Sequence, residues 1–562
     1  MESRDHLASR RRRWVVLASL RGTKVVVGSF LVIGSILAGC ASASTSTAPP
    51  NQQQQNPVQP RPAATAAPAF PNWTPAPQWP APRWTPQPYW PAATPAPASA
   101  APYPGNNFQD PGVNPFVSPN NDPFSTFAMD VDTASYAVAR RYIEGGNLPD
   151  RDSVRLEEYV NSFDYGYEQP TSGAFAIHVD GAPTPFTDSR SVLLRVGIQA
   201  RSVPESQRPP VALTFVIDTS GSMSIDSRLE TVKAALDLLV SRLRPDDSVA
   251  IVQFGSDASV VLNSTSAAEP EAIEQAISRL APDGSTNAQA GLELGFQIAA
   301  QAHRAGVNDR VVLASDGVAN VGLTDADSLL ADLDREVASG MELISVGVGM
   351  GNFNDALLEQ LADRGNGFYA YINDQTEADK VFGSQLTGTL DTVAREARVQ
   401  VEFNPSSVAA YRLLGYENRA MPDQDFSNPA ADAGEVGAGY SVTALYEVEP
   451  AWGRDTTLGV VQLHWIDPTT GARLDASRDI TSAVFAPAFD SASPSFRLAA
   501  TVGAFAEILR QSPYASGYTL SDVAREASSL VPSFGDVPDV AEFAQLAQQA
   551  AQMSGQQVIS TW

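Results

Sequence analysis

From Pro210 to about Arg395 the sequence alternates short apolar runs, rich in β-branched residues, with longer amphipathic runs, and few architectures accept that rhythm. Strands are predicted at 211–217, 248–254, 310–315, 342–348 and 368–372, with a hairpin-like strand at 258–262. Helices are predicted at 228–243, 269–280, 288–303, 324–338, 353–363 and 375–394. Strands this uniformly apolar need cover on both faces, which helical crossovers between parallel strands supply. A doubly wound, mostly parallel α/β unit is therefore predicted over 206–395.

The regions on either side read differently. Strand-like runs lie at 174–180, 191–199, 397–403, 440–448, 457–465 and 482–485, punctuated by turn residues. Thr126–Asp132 alternates like a strand, and Asp132 or Thr133 is placed to cap a helix that stops at Gly145-Gly146. A second short helix is predicted at 152–163. Residues 123–205 and 396–492 are expected to form one β-rich domain with the α/β unit inserted in it. Insertion is tolerated at a surface loop when the inserted ends lie close together. Residues 493–562 read as a small helical unit, with runs near 496–511, 520–530 and 538–553.

Residues 40–122 are a different polymer. Pro-Ala and Thr-Pro steps dominate, charge is nearly absent, and no apolar period occurs. Such composition predicts a disordered, extended tether. Trp73, Trp79, Trp84 and Trp90 recur within it. Ahead of it, Arg10–Arg13 form a basic block, followed by the apolar run Val25–Leu37 and then Leu37-Ala38-Gly39-Cys40. Cys40 is the chain's one cysteine, so no intrachain disulfide framework is possible. The pattern resembles the bacterial lipobox: residues 1–39 would be a signal peptide, and Cys40 the lipidated N-terminus of an envelope protein held at a membrane outside the cytoplasm. The chain has 37 basic and 63 acidic residues, a formal net charge of −26. A surface of that sign repels phosphate backbones, which argues against nucleic-acid binding.

The chemistry concentrates where the first predicted strand of the α/β unit ends, at Phe215-Val-Ile-Asp218-Thr-Ser220-Gly-Ser222. In an open parallel sheet, ligand sites gather at the carboxyl ends of the strands. A serine nucleophile would need a nearby base. Histidine is scarce, only Lys233 and Lys380 follow Lys24, and the Gly-x-Ser-x-Gly signature is absent. A phosphate cradle would need a lysine and a glycine-rich loop, which this turn lacks. Gly347-Val-Gly349-Met-Gly351-Asn352 superficially suggests a dinucleotide loop, but its glycine spacing is wrong and its strand is not the first, so it is read as a tight strand-to-helix turn. No small-molecule cofactor is expected. A hard divalent cation fits better, because it wants six or more oxygens and the turn presents a carboxylate with two hydroxyls at spacing two. Gly284-Ser-Thr286-Asn287 and Ala314-Ser315-Asp316-Gly317 offer further oxygens.

Asp218, Ser220, Ser222, Thr286 and Asp316 together resemble the metal-ion-dependent adhesion site of von Willebrand factor type A domains. The resemblance implies that the two serines and the threonine supply oxygens directly or through water, and that the two acids hold coordinated waters. It implies magnesium first, with manganese or calcium as alternatives. One coordination position would stay open for an Asp or Glu carboxylate of a protein partner. Met129–Tyr136, Arg155–Phe163, Val401–Pro405, Tyr411–Arg419 and Gly434–Tyr440 extend the likeness to bacterial lipoproteins in which an A domain interrupts a flanking region. No base is evident that would activate water, so binding is expected rather than catalysis. The alternatives are an envelope assembly or stress scaffold that binds protein without metal, and, less favoured, a metal-assisted hydrolase.

Overall fold

The computed structural model describes residues 103–555, apart from short internal segments at 187–189, 318–324, 332–336, 338–339, 385, 429–430, 432, 452–456 and 536. Cys40 and the four tether tryptophans lie outside the described residues.

Three strands precede the α/β unit: β1 (Phe124–Ala128), β2 (Phe175–Ala182) and β3 (Val192–Ala200). The unit itself contributes β4 (Val211–Asp218), β5 (Ser248–Phe254), β6 (Ala258–Ser266), β7 (Asn308–Ser315), β8 (Glu342–Val348) and β9 (Tyr369–Ile372). Among the described residues these six form one sheet in the order β6-β5-β4-β7-β8-β9, parallel throughout except for antiparallel β6 at one edge. The period of two along each strand divides the core. Leu213, Phe215, Ile217, Val312, Ala314 and Val346 face a cluster completed by the helices Arg228–Val240 and Pro270–Ser278. Val216, Val311, Leu313 and Leu343 face the opposite cluster, under the helices Ala288–Ala302 and Asp355–Arg364. That second cluster also includes Ala134, Ala137, Val138 and Tyr142 of the upstream helix Ala134–Glu144, so a flanking element helps to close the core of the α/β unit.

Six more strands follow: β10 (Thr392–Phe403), β11 (Val408–Leu414), β12 (Gly434–Gly437), β13 (Ser441–Pro450), β14 (Thr457–Ile466) and β15 (Arg473–Thr481). They join the upstream strands in two antiparallel sheets, β1-β10-β14-β15 with β12 also on β10, and β11-β13-β3-β2. Phe127 pairs with Val399 and Val196 with Ala444, so strands on either side of the inserted unit are direct neighbours. The sheets enclose a shared core that includes Leu194, Val196, Ile198, Val399, Val401 and Phe403. The other face of the second sheet is covered by the helices Pro494–Leu509, Leu520–Phe534 and Pro538–Met553, together with Leu156–Asn161.

Several local expectations are corrected. The tether was expected to run to residue 122, but residues 103–117 already pack on the folded chain. Asn107 N donates to Phe353 O at 2.7 Å, Asn106 Oδ1 accepts from Gly351 N and Phe353 N, and Val117 pairs with Tyr411. These bonds are made by backbone and amide groups, which carry no apolar period. The helix expected over 375–394 breaks into Gln375–Asp379, a wider turn over Lys380–Ser384 and Leu386–Leu390, and β10 begins at Thr392, short of the expected boundary at 395. Residues 482–484 form a 3₁₀ turn rather than a strand. The strand is instead β15, whose side chains are mostly exposed, so no burial pattern marks it in the sequence. β1 ends at Ala128, and Asp130 and Asp132 turn inward as partners of Arg419, at 3.2 and 3.0 Å.

Candidate functional site

Asp218 is the last residue of β4, and Asp316 follows the last residue of the neighbouring parallel strand β7, with Ile217 paired to Ala314. The sheet therefore delivers both acids to its carboxyl-terminal edge, one strand apart. Both are fully buried. Ser220 and Ser222 sit on the turn that leads into the helix Arg228–Val240, and their hydroxyl oxygens are 3.0 Å apart. Ser220 N donates to Asp218 Oδ1 at 2.8 Å, which folds the turn back over the carboxylate. Thr286, also buried, lies on the loop before the helix Ala288–Ala302. That loop is tied to the serine turn by Gly221 N donating to Gly284 O at 3.1 Å, and to the end of β5 by Asn287 N donating to Gly255 O at 2.9 Å. The five sequence-predicted residues thus come from one turn and two neighbouring loops at one end of the sheet.

Three further residues complete the environment. Ser315 Oγ donates to Asp218 Oδ2 at 2.7 Å and accepts from Gly317 N at 3.0 Å. Arg228, 3% exposed, donates through Nη1 to Asp316 Oδ2 at 2.7 Å and to Asn352 Oδ1 at 2.6 Å, and through Nη2 to Met350 O. Asn352 Nδ2 also donates to Asp316 Oδ2, at 3.2 Å. Sequence reasoning assigned no role to Ser315, Arg228 or Asn352. An arginine at the first position of a helix is unremarkable, and nothing local indicates that it reaches across the sheet edge to Asp316.

The electrostatics follow from burial. Desolvation pushes the Asp218 carboxyl up to about 6, the neighbouring Asp316 pushes in the same direction, and the bonds from Ser315 and Ser220 oppose both. Two buried acids on adjacent strand ends repel one another, and a cation between them relieves that repulsion. The donor set, carboxylates with hydroxyls and neither sulfur nor imidazole, suits a hard cation. On these grounds the residues present fit a divalent ion. Among the described residues no cluster of three or more His, Cys, Asp or Glu side chains is arranged to hold a metal, here or elsewhere; this site offers two acids and makes up its oxygens with hydroxyls.

A second charged cluster joins the flank to the α/β unit. Arg155, buried ahead of the helix Leu156–Asn161, meets Asp355 Oδ2 at 2.6 Å, Glu359 at 3.2 Å and Glu158. Arg419 meets Asp130, Asp132 and Asp363. Asp132 Oδ1 also accepts from Tyr369 N, at the start of β9, at 2.7 Å. The motifs Met129–Tyr136, Arg155–Phe163 and Tyr411–Arg419 therefore meet at one joint, around the helix Asp355–Arg364.

Comparison with known proteins gives these features a family. Residues 212–384 match the von Willebrand factor type A domain, 103–194 a von Willebrand factor model, and 388–553 the model described as the C-terminal region of the uncharacterised protein YfbK. Uncharacterised YfbK of Escherichia coli is 41% identical over 343 residues, covering 60% of this chain and 60% of its own length. An uncharacterised protein of Synechocystis is 31% identical over 306 residues, covering 52% of this chain and 69% of its own. Inter-alpha-trypsin inhibitor heavy chain H3 of Pongo abelii is 27% identical over 262 residues, 43% of this chain and 29% of its own. Among solved structures, a von Willebrand factor type A protein from Catenulispora acidiphila aligns over 69% of this chain and 89% of its own, at 20% identity and a TM-score of 0.41. The chain belongs to the family of proteins in which a von Willebrand factor type A domain is followed by a YfbK-type C-terminal region.

Proposed function

We propose that this is a lipid-anchored envelope protein whose type A domain binds a protein partner through a divalent cation. The domain family itself is one of protein–protein interaction and adhesion, and the matched relatives bear the names of uncharacterised proteins and inhibitor heavy chains rather than of enzymes. The observation that carries the metal reading is the buried pair Asp218 and Asp316 at adjacent strand ends, with the Ser220 and Ser222 hydroxyls 3.0 Å apart on the turn that follows Asp218. Asp218, Ser220, Ser222, Thr286 and Asp316 would hold the ion, magnesium in the first instance. The ion, when bound, supplies a hard positive centre for a partner's Asp or Glu carboxylate. Anchoring rests on the lipobox-like run ending at Cys40. Among the described residues no helix is long and apolar enough to cross a membrane.

The test is partner capture from envelope extract by the full chain, with magnesium and with chelator, compared with Ser220→Ala/Ser222→Ala. Capture that needs magnesium and is lost in the variant supports the reading. Capture indifferent to both chelator and variant sinks it and leaves the scaffold that binds without metal. That second reading is favoured by one observation, the ion pair that Arg228 already makes with Asp316.

A further inference from the structure

A divalent-cation site built from two acids needs no arginine, yet Arg228 is seated on Asp316 with almost no exposure. Its seat is constructed. Gly349 has φ +77, and a Cβ there would lie 2.1 Å from Arg228 Nε. Met350 O and Asn352 Oδ1, from the same loop, accept from the guanidinium. The run Gly347-Val-Gly349-Met-Gly351-Asn352, unexplained by the adhesion-site pattern, is thus a cradle for Arg228. Arg228 also lines a recess of about 110 Å³ together with Arg141 and the acid Asp226.

The charge balance gives this arrangement a consequence. Asp218, Asp316 and Arg228 sum to one net negative charge. A divalent cation alone would leave the buried site one charge too positive, and one carboxylate arriving with it would restore neutrality. Without Arg228 the metal alone would neutralise the two acids, and a carboxylate would bring an uncompensated charge into a buried place. We propose that Arg228 is the specificity-determining residue of this site: it weakens binding of the metal alone and makes metal and an anionic partner group bind cooperatively. This rests on the metal reading given above. Because coupling between two ligands is reciprocal, each must raise the other's affinity by the same factor.

The experiment is calorimetric titration of the full chain with Mn²⁺, in the absence and presence of acetate as the carboxylate probe. Wild type is compared with Arg228→Gln, with Arg228→Lys as a charge-preserving control, and thermal unfolding with Mn²⁺ is a second readout. Arg228→Gln is expected to bind Mn²⁺ alone about tenfold or more tightly than wild type, since a unit positive charge a few ångströms away is gone. Its midpoint should rise more with Mn²⁺. Acetate should tighten Mn²⁺ binding to wild type and to Arg228→Lys, and much less to Arg228→Gln. If Arg228→Gln fails to fold, the acetate effect on wild type and Arg228→Lys still decides, and its absence overturns the proposal. Equal Mn²⁺ affinity in wild type and Arg228→Gln overturns the role of Arg228 and leaves the metal reading standing. Saturable binding by neither overturns the metal reading and this proposal with it.

Discussion

At the scale of single residues, the candidate site depends on hydrogen bonds that fix two buried carboxylates. Ser315 is the sharpest case, because its hydroxyl donates to Asp218 Oδ2 at 2.7 Å and both residues are buried. Removing a donor to a buried charged acceptor costs about 1–3 kcal/mol. Ser315→Ala should therefore lower stability by that amount in denaturant unfolding without changing the slope of the transition; an unchanged midpoint would show that another group takes over the bond. Glu157 supplies a pH dependence away from the site. Burial, then repulsion from Glu417, Asp130 and Glu158, pushes its carboxyl up to about 8. Glu158 is also pushed up to about 8, by burial against the opposing pull of Arg155. A carboxyl raised in the folded state keeps a proton that the unfolded chain releases near its ordinary value of about 4.3. The stability it contributes is fully present below that value and is lost as pH rises through about 8. The chain should resist denaturant better at pH 5.5 than at pH 8.5, and Glu157→Gln should narrow the gap. A gap of the opposite sign would show that Glu157 is ionised in the fold.

At the scale of elements, the joint between flank and α/β unit is the feature most exposed to a single change. Arg155 is buried and meets carboxylates on two helices, Leu156–Asn161 and Asp355–Arg364. Breaking one side of a buried charge cluster leaves the other side uncompensated, at a cost of about 3–5 kcal/mol. Arg155→Met should lower the unfolding free energy by that amount, and pairing it with Asp355→Asn should recover part of the loss. If the two effects simply add, the residues are not coupled and the cluster does not hold the joint. The C-terminal helices are fastened in a similar way, with Arg412 bridging Glu447 of β13 at 2.8 Å and Glu507 of the helix Pro494–Leu509 at 3.0 Å.

At the scale of the whole molecule, the strand pairings β1 with β10 and β3 with β13 hold the two ends of the inserted unit close together. The segment 103–122 adds a strap. It bonds to Phe353 at its start and to Tyr411 further on, and so touches both the α/β unit and the sandwich. A chain beginning at Phe124 should unfold at a lower temperature than one beginning at Tyr103, by several degrees in a thermal scan. Equal midpoints would mean that the strap only rests on the surface.

The sequence by itself determined the elements whose burial repeats with a regular period. The five parallel strands of the α/β unit and the three C-terminal helices were legible because buried apolar residues recur along them; edge strand β6, none of whose side chains is buried, was legible from its β-branched run Val260-Val261 beside the turn after β5. It also made the five candidate residues legible as a pattern through their resemblance to an adhesion site, since Asp218, Ser220 and Ser222 lie within one turn and Asp316 follows directly on a readable strand. Tertiary structure alone decided what depends on polar contacts between distant segments. β15 is exposed, and the strap is held by amide and backbone bonds together with isolated rings such as Tyr103, Phe108 and Phe116, which are too irregularly spaced to give a periodic apolar signal. Arg228 lies 88 residues from Asp316 in the chain, and only the parallel pairing of β4 with β7 and the loop after β8 brings its guanidinium to that carboxylate. A charge is selected by the field at its folded position, and that field comes from residues that are not its neighbours in sequence.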